Sequence, residues 1–400
     1  MNKDKQNINI LFLLKTLNVG GVEVVTTVLA NKFVAEGHNV AVWVFFSGNT
    51  SLADRLDSRV KLCYGDGLNA RRHNVASLRN VLINENIDVV VNQWGLPFVP
   101  MRTLRKAAFG LGMKIISVYH NDPNFNGRTQ MVKLAISQCH NAAKKKLLGW
   151  KLTIFKRITA ASMRYVYRHS DRYMVLSKSF VKHFENFTGI HHADKLVVQT
   201  NPVTIDAPAC QISLNTKRKE VVYVGRLDNQ QKRVSRIIDV WALVGSKHQD
   251  WALRFVGDGE ERAELERQCD RLNLKNVSFE GFKHPAEYYA RASVLILTSE
   301  YEGFPLVLAE SMSFGVVPVV YGSFSSAYDI IRSGENGVIV KPNGEQFSTE
   351  AMAETVERIM NDDSKRADMA RQAIATSRKY SVDTIYSQWM DLFRVLWKND

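Results

Sequence analysis

The feature that most constrains this chain is a rhythm: apolar runs of strand length alternate with helical patterns, and the sequence runs twice with one interruption. Ile8–Leu14 is apolar apart from Asn9, as expected of a strand buried on both faces. Gly20-Gly21 follows, then a helical repeat through Val24, Val25, Val28, Leu29 and Phe33, with Gly37 placed to cap its end. Val40–Phe46 reads as the next strand, and Val89–Asn92, Ile115–Tyr119 and Tyr173–Leu176 as further ones. Strand, helix, strand at this spacing specifies a parallel sheet with right-handed crossovers. The rhythm halts after Val198 and resumes with strand Val221–Val224, helix Val234–Leu243, strand Trp251–Val256, helix Glu260–Leu272 and strand Val277–Phe279. Val294–Leu297 and Val316–Val320 add two more strands.

Four hundred residues are too many for one core and suit two α/β domains of roughly 200 residues. The expected fold is two Rossmann-like doubly wound domains facing across a cleft. Residues 1–200 form the first, 201–219 a linker carrying Pro202 and Pro208, and 220–380 the second. Ser381–Trp397 reads as an amphipathic helix with Ser381 as N-cap, and 381–400 is expected to pack back on the first domain. Ligands of such sheets bind beyond the carboxyl ends of the strands. No apolar run reaches eighteen residues, so no transmembrane helix is expected. The amino end, Met1 to Asn9, lacks the shape of a signal peptide. Cys63, Cys139, Cys210 and Cys269 are too scattered for a metal or redox motif and read as reduced, mostly buried thiols of a cytosolic protein.

The densest chemistry lies in Ser299-Glu300-Tyr301-Glu302-Gly303-Phe304-Pro305-Leu306-Val307-Leu308-Ala309-Glu310. It follows a strand and opens a helix, with Pro305 suited to the first helical position. Backbone N–H groups at a helix start can receive a phosphate. Glu302 just before the helix and Glu310 about two turns along it reach different parts of a ligand. The alternative is an acidic residue favoured by the helix dipole and an exposed glutamate on the helix side. Val224-Gly225-Arg226-Leu227-Asp228 ends the first strand of the second half, with Lys232-Arg233 close behind. Arginine and lysine there suit a pyrophosphate, or make a solvated basic turn. Gly20-Gly21-Val22-Glu23 is a second glycine loop opening a helix, and His120 ends the strand Ile115–Tyr119.

In this order these segments resemble the retaining glycosyltransferases of family four, which have the GT-B fold, over nearly the whole chain. Glu302 and Glu310 match the family's pair of glutamates with seven residues between them, and Glu302-Gly303-Phe304-Pro305 matches its usual wording. The resemblance implies that Glu302 holds hydroxyls of the donor sugar and Glu310 the ribose. Arg226 and Lys232 correspond to the basic pair on the diphosphate; the spacing is one residue longer than the commonest form, with Arg233 as a substitute. Gly20, Gly21, Gly303, Phe304, Pro305 and Leu306 fall on the donor side, Phe282 near the nucleotide base, and His120 facing the donor sugar. The activity implied is transfer of a hexose from a nucleoside diphosphate sugar to a glycan or lipid-linked acceptor in surface polysaccharide or lipopolysaccharide synthesis. No Asp-x-Asp pair occurs, so no metal or other cofactor is expected, and Arg226, Lys232 and a helix start would stabilise the leaving diphosphate.

The net charge of +13 is concentrated. Between Asp122 and Asp171 there are ten Lys and Arg and no acidic residue, which leaves +3 for the rest of the chain. At helical spacing Leu147, Leu148, Ile154, Phe155 and Ile158 gather on one side, and Lys145, Lys146, Lys156 and Arg157 opposite. With Lys144 and Lys151, these cations make a patch for an anionic membrane or an acceptor, or else the solvated face of a core helix. A cytoplasmic protein peripheral to the membrane is the expectation. A sugar-nucleotide epimerase of the same architecture is one competing reading. A basic nucleic-acid-binding protein is another, though zinc-finger, homeodomain and RNA-recognition signatures are missing, so no nucleic-acid partner is expected.

Overall fold

The structure is a computed structural model that describes residues 7–48, 50–205, 213–342, 344 and 346–398. The chain divides into two compact units, Met1–Pro202 with Val382–Asp400, and Val203–Ser381. Cys210 and residues 206–212 of the expected linker lie outside the described residues.

In the first unit the elements run β1 (Asn9–Leu14), α1 (Gly21–Ala35), β2 (Asn39–Val44), β3 (Lys61–Tyr64), α2 (Arg72–Asn84), β4 (Val89–Asn92), α3 (Phe98–Ala107), β5 (Lys114–Tyr119), α4 (Gly127–Ser137), α5 (Ala142–Arg168), β6 (Arg172–Val175), α6 (Ser179–Thr188) and β7 (Leu196–Val198). The strands form a parallel sheet in the order β3-β2-β1-β4-β5-β6-β7. Every residue of β1 is buried, which is why its sequence shows no polar alternation. The edge strand β3 is not evident as an apolar run because its residues are half-buried or exposed, and β7 is apolar but only three residues long.

The second unit runs β8 (Glu220–Val224), α7 (Ser235–Val244), β9 (Ala252–Val256), α8 (Arg262–Arg271), β10 (Val277–Gly281), α9 (Ala286–Arg291), β11 (Val294–Leu297), α10 (Leu306–Ser313), β12 (Val317–Tyr321), α11 (Ser326–Ile330), β13 (Val338–Val340), α12 (Thr349–Asn361) and α13 (Asp363–Ser377). Its parallel order is β10-β9-β8-β11-β12-β13. In each sheet the order reverses once, between β1 and β4 and between β8 and β11, so the loops after those strands leave in opposite directions and open a crevice. Tyr223 and Phe255 (6.0 Å between centroids) and the stacked Phe255 and Phe279 (4.6 Å) fill the core beneath the second crevice.

The last helix, α14 (Val382–Lys398), belongs to the first unit. It covers α1: Tyr386 and Phe393 lie 5.3 Å and 5.8 Å from the Phe33 ring. Lys32 pairs with Asp383, and the Nε2 of buried His38 meets the Tyr386 hydroxyl at 3.0 Å. Among the described cysteines only Cys269 is buried, and Cys63 and Cys139 are half-buried. Among the described residues no helix is long and apolar enough to cross a membrane.

Phe393 is fully buried between the helices. Phe393→Ala is expected to cost about 3–5 kcal/mol, read by denaturant unfolding of the first unit, with the second unit's transition unmoved.

Candidate functional site

The loop after β8 decides the local geometry. Asp228 Oδ1 accepts from the backbone N–H of Gln231 (2.7 Å) and of Lys232 (3.2 Å), folding the loop into a tight turn. Gln231 then ties this loop to the one after β11: its carbonyl accepts from Glu300 N–H at 2.7 Å, and its amide donates to the Tyr301 carbonyl at 3.1 Å. The Thr298 hydroxyl adds bonds to the carbonyls of Lys232 and Arg233. The two loops bordering the reversal of strand order are thereby one hydrogen-bonded unit. Gly257 lets the loop after β9 press against them: its φ is +139°, and a Cβ there would stand 1.9 Å from the Gly225 carbonyl oxygen.

On this platform Lys232 Nζ donates to Glu302 Oε1 at 2.6 Å. Glu302 is only 6% exposed, so the pair is a largely desolvated one that needs both members. Arg226 differs: its side chain is 64% exposed, donating to Asp228 Oδ2 (2.7 Å) and, at longer range, to Gln231 Oε1 (3.4 Å). Burial pushes the Asp228 carboxyl up, but the Gln231 N–H, the Arg226 guanidinium and the Lys232 N–H outweigh it and hold it below its ordinary value. Asp228 therefore stays ionised and orients Arg226.

The glutamate helix departs from the sequence reading in two details. Pro305 takes the N-cap position, and α10 begins at Leu306, because the Pro305 ψ of 89° is not helical. Glu310 is consequently the fifth helical residue, little more than one turn along. It is also not exposed on the helix side: at 5% exposure it accepts from the Thr204 hydroxyl. Burial raises its pKa, against the lowering effect of Thr204 and of the Tyr289 hydroxyl. Gly303, Phe304 and Pro305 are buried, with Phe304 against Tyr380 at 5.2 Å, so they offer a ligand backbone rather than side chains. Leu306 is half-buried and Phe282, beyond β10, stands exposed.

In the first unit, His120 follows β5 and its Nε2 meets Gln93 Oε1, beyond β4, at 2.7 Å. With the amide oxygen facing it, Nε2 carries the proton and Nδ1 keeps its lone pair. That Nδ1 is shut off from solvent and finds no partner among the described residues. Burial holds the imidazole pKa down to about 3, so the ring is neutral at pH 7. Next to it, Asp122 accepts from His183 Nδ1 at 2.9 Å. Gly20 is the N-cap of α1 and Gly21 its first residue. The Glu23 carboxylate folds back beside Gly20, with Thr16 donating to it at 3.3 Å, so the helix start already has an acidic neighbour.

Sequence reasoning passed over Gln93, Gln231, Thr204 and Asp228 as site residues. Position beyond a strand's carboxyl end would have found Gln93 and Asp228; Thr204 gave no signal, being brought to Glu310 only by the fold.

The basic residues 144–146, 151, 156 and 157 all lie exposed on α5, whose first turn is capped by the Asn141 side chain accepting from Lys144 N–H at 3.0 Å. The expected apolar side splits. Leu148 and Phe155 are partly covered, whereas Leu147, Ile154 and Ile158 are exposed in a stripe with Trp150, itself 70% exposed.

Comparison with known proteins accounts for both units. The family described as "Glycosyltransferase Family 4" matches residues 19–207, and "Glycosyl transferases group 1" matches residues 206–376. The chain belongs to glycosyltransferase family four. It is 25% identical over 393 residues to an undecaprenol-linked-glycan N-acetyl-D-galactosaminyltransferase of Campylobacter jejuni, covering 96% of this chain and 97% of that one. A lipopolysaccharide 1,6-galactosyltransferase of Salmonella typhimurium is 29% identical over 44% of this chain and 49% of its own. Among solved structures, Anabaena HepE in complex with UDP and glucose superposes with a TM-score of 0.71 at 20% identity, covering 96% of this chain and 99% of that one. The transferase thus has the GT-B fold. Neither an epimerase nor a nucleic-acid-binding protein is favoured by these matches.

His120 sets a pH dependence. Its folded pKa, about 3, lies below the unfolded value near 6.5, so between those values the unfolded state of the transferase binds more protons and stability falls as pH falls. The His120 ring resonances are expected not to titrate between pH 8 and pH 5 by NMR, and His120→Asn to remove part of the acid sensitivity. Titration of the folded ring near pH 6.5 would contradict this.

Proposed function

We propose that this transferase moves a hexose from a nucleoside diphosphate sugar to a glycan or lipid-linked acceptor in surface polysaccharide or lipopolysaccharide synthesis. The observation that carries this reading is the exposed Arg226 beside the buried Lys232–Glu302 pair at the point where strand order reverses. The relatives' acceptors and the UDP and glucose bound by a structural neighbour support it.

The chemistry follows from charge. As the glycosidic C–O bond of the donor breaks, its electron pair goes to the diphosphate oxygen. Arg226, Lys232 and the N–H groups opening α10 stabilise the negative charge that develops there. Glu302 exchanges part of its bond with Lys232 for hydroxyls of the hexose, and that exchange frees the ammonium for the diphosphate. Glu310 trades Thr204 for the ribose hydroxyls. The departing diphosphate takes the acceptor hydroxyl's proton on the same face, so the anomeric configuration is retained without a covalent enzyme intermediate. Cationic side chains take the place that a metal ion fills in other transferases, and turnover is expected to survive chelation.

Calorimetric titration against UDP, GDP and ADP and their sugars tests the site. One nucleotide should bind, with Arg226→Ala and Glu310→Ala weakening it most. Glu302→Ala should selectively lose affinity for the sugar form. Arg226→Ala is expected to lower kcat by about 100-fold. No nucleotide binding by the folded parent would sink the reading.

The α5 stripe supports peripheral attachment to anionic membrane, since exposed apolar and basic residues lie along one helix without an intervening acid. In vesicle flotation the parent should float with anionic but not with neutral vesicles, and Trp150→Ser combined with Lys144→Ser, Lys145→Ser and Lys146→Ser should stay at the bottom. Equal flotation by parent and variant would remove the helix from the account.

A further inference from the structure

At the amino end of the second sheet, the end away from Arg226 and Glu302, lies a pocket of about 250 Å³. Lys219 immediately precedes β8, whose five residues at ~3.3 Å each put roughly 17 Å between the two ends. Leu214, Gly315, Ala367 and Ala370 give the pocket a small, largely apolar lining, and its charged residues are Lys217, Arg218, Lys219, Arg366 and Asp363. Four cations thus face one carboxylate.

Two of the cations are already matched. Lys219 pairs with Asp250 at 2.6 Å, and Arg366 pairs with Asp363 while donating to the carbonyls of Ile359 and Met360. The other two have no carboxylate partner among the described residues. Lys217 Nζ donates to the Tyr289 carbonyl at 2.6 Å, a neutral acceptor. Arg218 is exposed, and its main chain is pinned on both sides: its N–H donates to the Arg291 carbonyl at 2.7 Å, and its own carbonyl accepts from Ser293 Oγ at 2.6 Å. The fixed backbone holds two basic residues, neither paired with a carboxylate among the described residues, beside this recess.

We infer that this pocket binds a small phosphate or diphosphate anion at a site separate from the donor site. An oxyanion would be held by the Arg218 guanidinium and by the Lys217 amine, which takes up a proton as the anion binds. Burial pushes the Lys217 amine down to about 7. An anion beside it would draw a proton back onto the amine and raise that value.

The test is site-resolved acetylation of Lys217 at pH 7.5, followed by peptide mass spectrometry, with inorganic pyrophosphate and orthophosphate as probes. It is run on the full chain in the parent and in Arg226→Ala, so that occupation of the donor site cannot be mistaken for occupation of this one. The free amine should react readily, and pyrophosphate should slow it by about tenfold in both proteins, with chloride at equal ionic strength having no such effect. Alongside, pyrophosphate should raise the melting temperature of Arg226→Ala, and the rise should disappear when Lys217→Met and Arg218→Gln are added. Absence of protection, equal protection by chloride, or a melting shift that survives the Lys217→Met and Arg218→Gln changes would overturn the site.

Discussion

A parallel sheet covered on both faces leaves none of its strand side chains free for chemistry. In β1 and β8 every residue is buried, so these strands serve only to fix where their ends lie. Polar groups gather beyond the carboxyl ends, and the reversal of strand order decides which ends have room between them. Arg226 and Glu302 stand past β8 and β11, the pair at which strand order reverses, and Gln93 and His120 past β4 and β5, one strand to the side of the first sheet's reversal. Both clusters follow from the same constraint, although their chemistry differs: one is neutral and the other ionic.

The ionic cluster is built in two grades of solvation. Arg226 is mostly in water and is oriented by an ionised Asp228, so its charge is available without desolvating a partner. The Lys232–Glu302 pair is already largely dry, and the cost of burying it is met by folding rather than by ligand binding. A ligand that supplies both an anion and hydroxyl groups can replace each half of that pair with an equivalent contact. A simple phosphate can replace only one half and leaves Glu302 without its cation.

Much of this was legible in the residues. The buried strands β1, β4, β8 and β11 appear as apolar runs because both faces are covered, and the Glu302 to Glu310 segment is legible because a helix start and two carboxylates at fixed spacing leave a pattern. What was hidden depends on long-range packing. β3 and β7 lie at a sheet edge, where β3 carries no apolar run and that of β7 is only three residues long. The burial of Glu310 depends on Thr204, more than a hundred residues distant in sequence. The tautomer of His120 depends on Gln93, which comes near only because β4 and β5 are paired. The apolar side of α5 looked single on a helical projection, but only Leu148 and Phe155 of it are partly covered.

The placement of α14 bears on how the chain is made. The surface of α1 that carries Phe33 is covered by Tyr386 and Phe393, near the very end of the chain. Translation proceeds at about 5–20 residues per second, so roughly 10–40 s separate the end of the first sheet from the emergence of its final helix. Through that interval the first unit has its sheet but lacks a layer, and an aromatic face stays uncovered while the whole second unit is synthesised. Completion of the first domain thus waits until the second unit has been synthesised, and a ribosome that stops before residue 382 releases a chain whose older half is the unfinished one.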